Sequence, residues 1–253
     1  MEMPAVPVGN GAHPIPLIVI SANTLDASTA FYTTVFGWRA MPMSADLTAM
    51  ATASGPNVTL RANVPAGFPG VVPYIGVPNV RDALERVTAA GAAVERAPWE
   101  IPHVGDMALF RDSSGTIYGL TNGSLTASIP HIPMPFGDNP RPAVATICSL
   151  EMYAASGETA AQFFGEQFGW GSLATMAHYM AFDPGAGVCG VFQSHTPAAP
   201  ALAYVYVADV AVSLNAIEAA SGNRMGDAMP MPGMGCFGYF TDPSGTAMGL
   251  IGP

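Results

Sequence analysis

The sequence predicts an α+β chain made of two tandem βαβββ copies. Three observations carry this: matched blocks that recur in the same order, helices with apolar residues at 3.6 spacing, and a glycine-closed hairpin near the end of each half. FYTTVFGW at 31–38 returns as FFGEQFGW at 163–170. YIGVPNVRDALERVTAAGA from 74 returns as YVYVADVAVSLNAIEAASG from 204, and FRDSSGTIYGL at 110–120 as FTDPSGTAMGL at 240–250.

Each copy opens with a β-rich run, Pro16–Ile20 or Thr146–Met152. A helix follows, with Ala27, Ala30, Phe31, Thr34 and Val35 on one face, Asp26 as N-cap and Gly37 as the left-handed stop. Strands are expected around Asn57–Ala62 and Val72–Val77, and around Val188–Gln193 and Leu202–Val207. An amphipathic helix comes next, Val80–Ala90 or Val210–Ala220, closed by Gly91 or Gly222. The copy ends in a hairpin through Asp112–Gly115 or Asp242–Gly245, where the glycine supplies positive φ. The organisation reads as an N-terminal arm 1–14, a first copy 15–121, a linker 122–142 and a second copy 143–253. Five prolines and no hydrophobic period mark the linker as extended.

Composition narrows the function. Half of the 253 residues are apolar, enough for a sizeable core. There is no lysine, which removes Schiff-base chemistry. A formal charge of −10 with eight scattered arginines leaves no footprint for nucleic acid. Cys148, Cys189 and Cys236 form no CxxC pair and read as small buried hydrophobes. The N-terminal run has no signal-peptide pattern and no apolar stretch is long enough to span a bilayer, so a soluble cytoplasmic protein without a membrane partner is expected. With only 10% charged residues, part of the surface is available for an oligomer contact, a homodimer being the simplest case.

The strand, the helix ending FY…FGW, the VPxV strand end leading into a helix and the DPxG turn together resemble the vicinal oxygen chelate superfamily of glyoxalases, bleomycin-resistance proteins and extradiol dioxygenases. The resemblance implies curved sheets that pair and form a cleft. It also implies a divalent metal held by His, Gln or Glu, which polarises two vicinal substrate oxygens. Its ligand positions fall on Leu17 and Ser149, near Val72 and Leu202, and on Gly119 and Gly249. None of the six is a competent ligand, so neither a metal nor another cofactor is expected at the usual site.

Strand alternation carries the neighbours of those positions into the cleft: Val19, Ser21, Tyr74, Gly76 and Ile117 in the first copy, and Glu151, Tyr153, Tyr204, Tyr206 and Ala247 in the second. Most polarity comes from the second copy. Glu151, an acid within ICSLEMY, is either a proton-transfer group or a carboxylate satisfied by a tyrosine or an amide. His103 sits in a loop at the cleft mouth, while His13, His131, His178 and His195 read as ordinary loop residues. Trp99 is expected on the cleft wall, and Met231 belongs to a methionine-rich stretch that forms either a lid over a ligand or a filling between the two copies. Ser149, Tyr153, Tyr74, Tyr204 and Tyr206 complete the ligand-binding set, with Glu151 and His103 as catalytic candidates.

Three functions follow: a binding protein for a small apolar or aromatic molecule in a metal-free cleft, a metal-independent lyase, isomerase or hydroxylase-like enzyme using Glu151, and a metal-dependent glyoxalase or dioxygenase with ligands from other positions.

Overall fold

A computed structural model describes residues 5–102, 104–126 and 129–253. His103 lies outside the described residues. The first copy contains β1 (Leu17–Ser21), α1 (Leu25–Phe36), β2 (Arg39–Ser44), β3 (Leu47–Ala51) and β4 (Asn57–Arg61), then β5 (Val71–Gly76), α2 (Val80–Ala89), β6 (Ala93–Ile101), β7 (Gly105–Arg111) and β8 (Ile117–Thr121). Each of these halves is itself a βαβββ unit, so the tandem fold is repeated once more inside each copy. β2 and β6 escape the sequence pattern because β2 and most of β6 are exposed and lack a buried apolar period, and β3, though it alternates in burial, is only five residues long.

The linker contributes β9 (His131–Ile132). The second copy then runs β10 (Ile147–Tyr153), α3 (Gly157–Phe168), β11 (Gly171–Met176), β12 (Tyr179–Asp183), β13 (Gly187–Val188), β14 (Gly190–Gln193), β15 (Leu202–Tyr206), α4 (Val210–Ala219), β16 (Asn223–Arg224), β17 (Met229–Met231), β18 (Gly235–Thr241) and β19 (Ala247–Gly252). The first copy forms one sheet in the order β2-β3-β4-β1-β5-β8-β7-β6. The second repeats it as β11-β12-β14-β10-β15-β19-β18-β16, with β17 on β18. Each sheet is pseudo-symmetric about its central antiparallel pair, β1 with β5 or β10 with β15.

Helix ends follow local chemistry. Asn79, Ser156 and Asp209 cap α2, α3 and α4 by accepting from first-turn amides. The N-cap of α1 is Thr24, so Asp26 falls inside the first turn, where it favours the helix dipole. Gly37 and Gly169 close α1 and α3 in the left-handed region. After α4 the left-handed residue is Ser221 and not Gly222. At Gly222 a side chain would strike Ile217 and Phe31, so packing is what requires glycine there.

The two sheets turn their helix-bearing faces toward each other and share one core. Phe31 of α1 packs on Phe240 of β18, and Tyr118 of β8 packs on Phe164 of α3 with centroids 4.9 Å apart. Polar ties cross the same boundary: Trp38 Nε1 donates to the Ala145 carbonyl at 2.8 Å, and the Tyr32 hydroxyl donates to Asp242 at 3.1 Å. The N-terminal arm reaches the second copy through Gly9 and Gly11, whose amides bond Asp183 and Pro184. Among the described residues, no helix is long and apolar enough to cross a membrane.

Candidate functional site

Alternation along the central strands separates the two faces of the first sheet. Ile18, Ile20, Val71 and Ile75 enter the shared core, whereas Leu17, Val19, Val72 and Tyr74 form a second apolar cluster on the concave face, with Met107, Leu109 and Ile117. Over that cluster lies a cleft of about 480 Å³. Its floor includes Leu17, Val19 and Tyr74; β2 adds Met41 and Met43, and β6 adds Arg96, Trp99 and Ile101. Among the described residues, those lining it all belong to the first sheet and the segments flanking it.

Two cations stand in this wall. Arg96 lies over the Trp99 ring at 3.9 Å from its centroid, and Arg61 over Phe68 at 5.5 Å. Among the described residues neither guanidinium has a carboxylate within salt-bridge distance. Asp46, also in the wall, is hydrogen-bonded by the Asn63 amide. Burial pushes the Tyr74 phenol up to about 12, opposed by the nearby Arg61 and Arg96, so it is a neutral hydroxyl at any physiological pH.

The positions at which the resemblance places metal ligands come together in register, with one change. Leu17 pairs with Tyr74, and Tyr74 with Gly119; Val72 faces Val19 instead. The second copy repeats the row as Ser149, Tyr204 and Gly249. In both copies the tyrosine ring covers the glycine so closely that a β-carbon there would collide with it. No room remains for a glutamate at either position. The three residues of each row do not form a divalent-metal donor set, because carboxylate and imidazole are both missing.

The second concave face differs in what covers it. Linker residues Ile132, Met134 and Phe136 pack there with Cys148, Ala181, Cys189, Tyr204, Tyr206 and Phe237. The linker is therefore no free tether, since β9 pairs in parallel with β13. Beside this filling, Glu151 accepts from the Tyr204 hydroxyl at 2.8 Å, and Tyr204 contacts the Tyr239 hydroxyl at 3.3 Å. Burial raises the Glu151 carboxyl, while the Tyr204 bond and His195 partly offset that rise.

Of the residues singled out from sequence, Tyr74 and Trp99 line the cleft of the first sheet. Ser149, Glu151, Tyr204 and Tyr206 lie on the second sheet, and Tyr153 ends β10 with its carbonyl accepting from Thr116. Met231 is an exposed residue of the short strand β17 and lines none of this cleft. Met41, Met43, Arg61 and Arg96 were not anticipated. Three of them sit on β2 and β6, the strands without a readable period, and Arg61 gives no local signal of its partners.

This architecture is that of the glyoxalase and extradiol-dioxygenase fold. The chain is similar to the 2,3-dioxygenase LapB from Pseudomonas sp. KL28, with TM-score 0.64 and 14% identity over 97% of this chain and 93% of that one. It is equally similar to the Mn(II)-bound glyoxalase from Novosphingobium aromaticivorans, with TM-score 0.64 and 16% identity over 94% of this chain and 81% of that one. In sequence it is 25% identical over 254 residues to the proteins named "Putative glyoxylase CFP32" of Mycobacterium bovis and Mycobacterium tuberculosis, covering 92% of this chain and 93% of theirs. No family model matches the sequence.

Proposed function

We propose that the cleft of the first sheet binds a small, flat, apolar or aromatic molecule bearing an acidic group, without a metal at the superfamily's usual position. The observation that carries this reading is the joining, in one cavity of about 480 Å³, of Trp99, Tyr74 and methionine surfaces with two guanidiniums that have no carboxylate partner among the described residues. Methionines adapt to irregular apolar shapes, and rings stack on Trp99. A stacked guanidinium keeps its in-plane N–H groups free for a carboxylate or sulfonate. In a chain of net charge −10, these cations provide the local attraction for an anion.

A pair of probes tests it: anilinonaphthalene sulfonate, and N-phenylnaphthylamine, which has the same rings without the sulfonate. The sulfonate is expected to bind saturably and more tightly. Arg96→Gln should weaken it by about tenfold, the worth of a charge-assisted hydrogen bond, and leave the neutral probe unchanged. Equal binding of both probes, unaffected by Arg96→Gln, would reject the acidic group; binding unaffected by Trp99→Ala would reject the cleft.

A second reading, proton transfer by Glu151 in a lyase, isomerase or hydroxylase-like reaction, draws on the raised carboxyl and its tyrosine partner. The same bond satisfies the acid inside the wall, which is why binding in the first cleft is preferred.

A further inference from the structure

Away from both concave rows, His131 of the linker meets Asp183 at the end of β12 and Cys189 beside β14. Its Nε2 is 3.0 Å from each Asp183 oxygen and 3.5 Å from the Cys189 sulfur. Asp183 and Cys189 are buried, and the histidine side chain is one-third exposed. Among the described residues this is the one cluster that brings three possible metal-ligand atoms within 4.8 Å of one another.

We propose that His131, Asp183 and Cys189 form a zinc-class cation site that fastens the linker to the second sheet. The gathering of three donors of different type, within 4.8 Å of one another and two of them buried, carries the argument. Zinc bonds of about 2.3 Å to sulfur and about 2.0–2.1 Å to nitrogen and oxygen give tetrahedral edges of about 3.6 Å for N···S and about 3.3 Å for N···O. The observed edges, 3.5 and 3.0 Å, match these to within a few tenths of an ångström. A mixed thiolate, imidazole and carboxylate set suits zinc better than magnesium or calcium.

A Cys–His–Asp nucleophile arrangement is the competing chemistry, and the geometry disfavours it. There the base takes the thiol proton on one ring nitrogen and is oriented through the other. Here sulfur and carboxylate both approach Nε2. The Gly185 amide donates to Asp183 Oδ1 at 2.7 Å and orients the carboxylate as an outer-shell partner would.

The site joins three segments. The linker pairs with β13 through His131 with Gly187 and Ile132 with Val188, the N-terminal arm bonds the Asp183 carbonyl through Gly9, and Ile15 bridges Gly187. A cation here would hold Ile132, Met134 and Phe136 on the second concave face.

The test uses the full, untagged chain, stripped with EDTA under reducing conditions and titrated with cobalt(II), then zinc. The expected result is a stoichiometric thiolate-to-cobalt charge-transfer band with tetrahedral d–d bands, removed by zinc and lost in both His131→Gln and Cys189→Ala. Zinc should also slow proteolysis within 122–142 in the wild type and not in His131→Gln, a partly exposed position that keeps the fold if Cys189→Ala does not. No thiolate band, a band that survives His131→Gln, or zinc protection equal in both proteins would overturn the site and leave a plain His131–Asp183 pair.

Discussion

The ring of Tyr74 on β5 lies flat over Gly119 on β8, and Tyr204 on β15 covers Gly249 on β19 in the same way. Each tyrosine occupies the space that a side chain from the neighbouring strand would need, and this excludes a glutamate from both rows. Gly119→Ala forces the ring aside and should destabilise the fold by about 1–3 kcal/mol, the usual cost of overpacking. Urea unfolding would show it as a lower midpoint at unchanged slope. Tyr74→Leu in the same chain should recover most of that loss, because the ring causes it. Strictly additive effects in the double variant would mean that the clash with the ring is not the cause.

Trp38 and Trp170 occupy equivalent places in the repeat but close different boundaries. Trp38 Nε1 donates to the buried Ala145 carbonyl across the two copies, while Trp170 Nε1 donates at 2.9 Å to the part-buried His13 carbonyl of the N-terminal arm. Phenylalanine keeps much of the stacking and removes the donor. Trp38→Phe should therefore cost about 1–3 kcal/mol for the orphaned carbonyl. Trp170→Phe should cost less, because water reaches its acceptor. Equal losses in thermal melts would contradict this assignment.

What the sequence made legible was whatever local pattern controls. The repeat, the helices, the closing hairpins and the buried central strands all follow from apolar period and turn chemistry, and Asp112 and Asp242 each hold their turn by accepting two amides at 2.9 Å. Alternation from Leu17 and Ser149 also placed Val19, Tyr74 and Glu151 on the concave faces, although the partner of Leu17 is Tyr74 and not Val72. The cleft itself was not legible, since Met41, Met43 and Arg96 lie on exposed strands with no buried stripe. Nor was the second face's covering: Phe136 meets Phe237 from a proline-rich segment whose composition suggests only extension. His131, Asp183 and Cys189 are brought together by β9–β13 pairing, for which no sequence spacing stands as a signal.

Met41 and Met43 line the cleft yet remain 55% and 50% exposed. Their side chains make an apolar lip that the unliganded fold does not need. Replacing both by serine should weaken the neutral naphthylamine probe by about tenfold, in line with about 25 cal/mol for each Å² of apolar surface that the probe would no longer cover, and leave the unfolding midpoint unchanged. A fall in stability with no change in probe binding would show that the lip belongs to the core and not to the ligand.

Glu151 gives a pH prediction whose sign is fixed by burial. Its folded carboxyl sits above the ordinary 4.5, so the folded chain holds that proton more tightly than the unfolded chain does. The stability it contributes is fully present below pH 4.5 and is lost as pH rises through the raised folded value. Glu151→Gln keeps an acceptor for the Tyr204 hydroxyl but has no proton to lose. The difference in unfolding free energy, Gln variant minus wild type, should thus grow as pH rises from about 4.5 and then level off. Asp112, raised to about 6 by burial, and Asp242, raised for the same reason, shift stability in the same direction. Both are present in the two proteins, so they cancel from the difference. Urea unfolding at a series of pH values measures it directly: a flat difference would place the carboxylate in water, and a falling one would mean that Tyr204 holds it ionised.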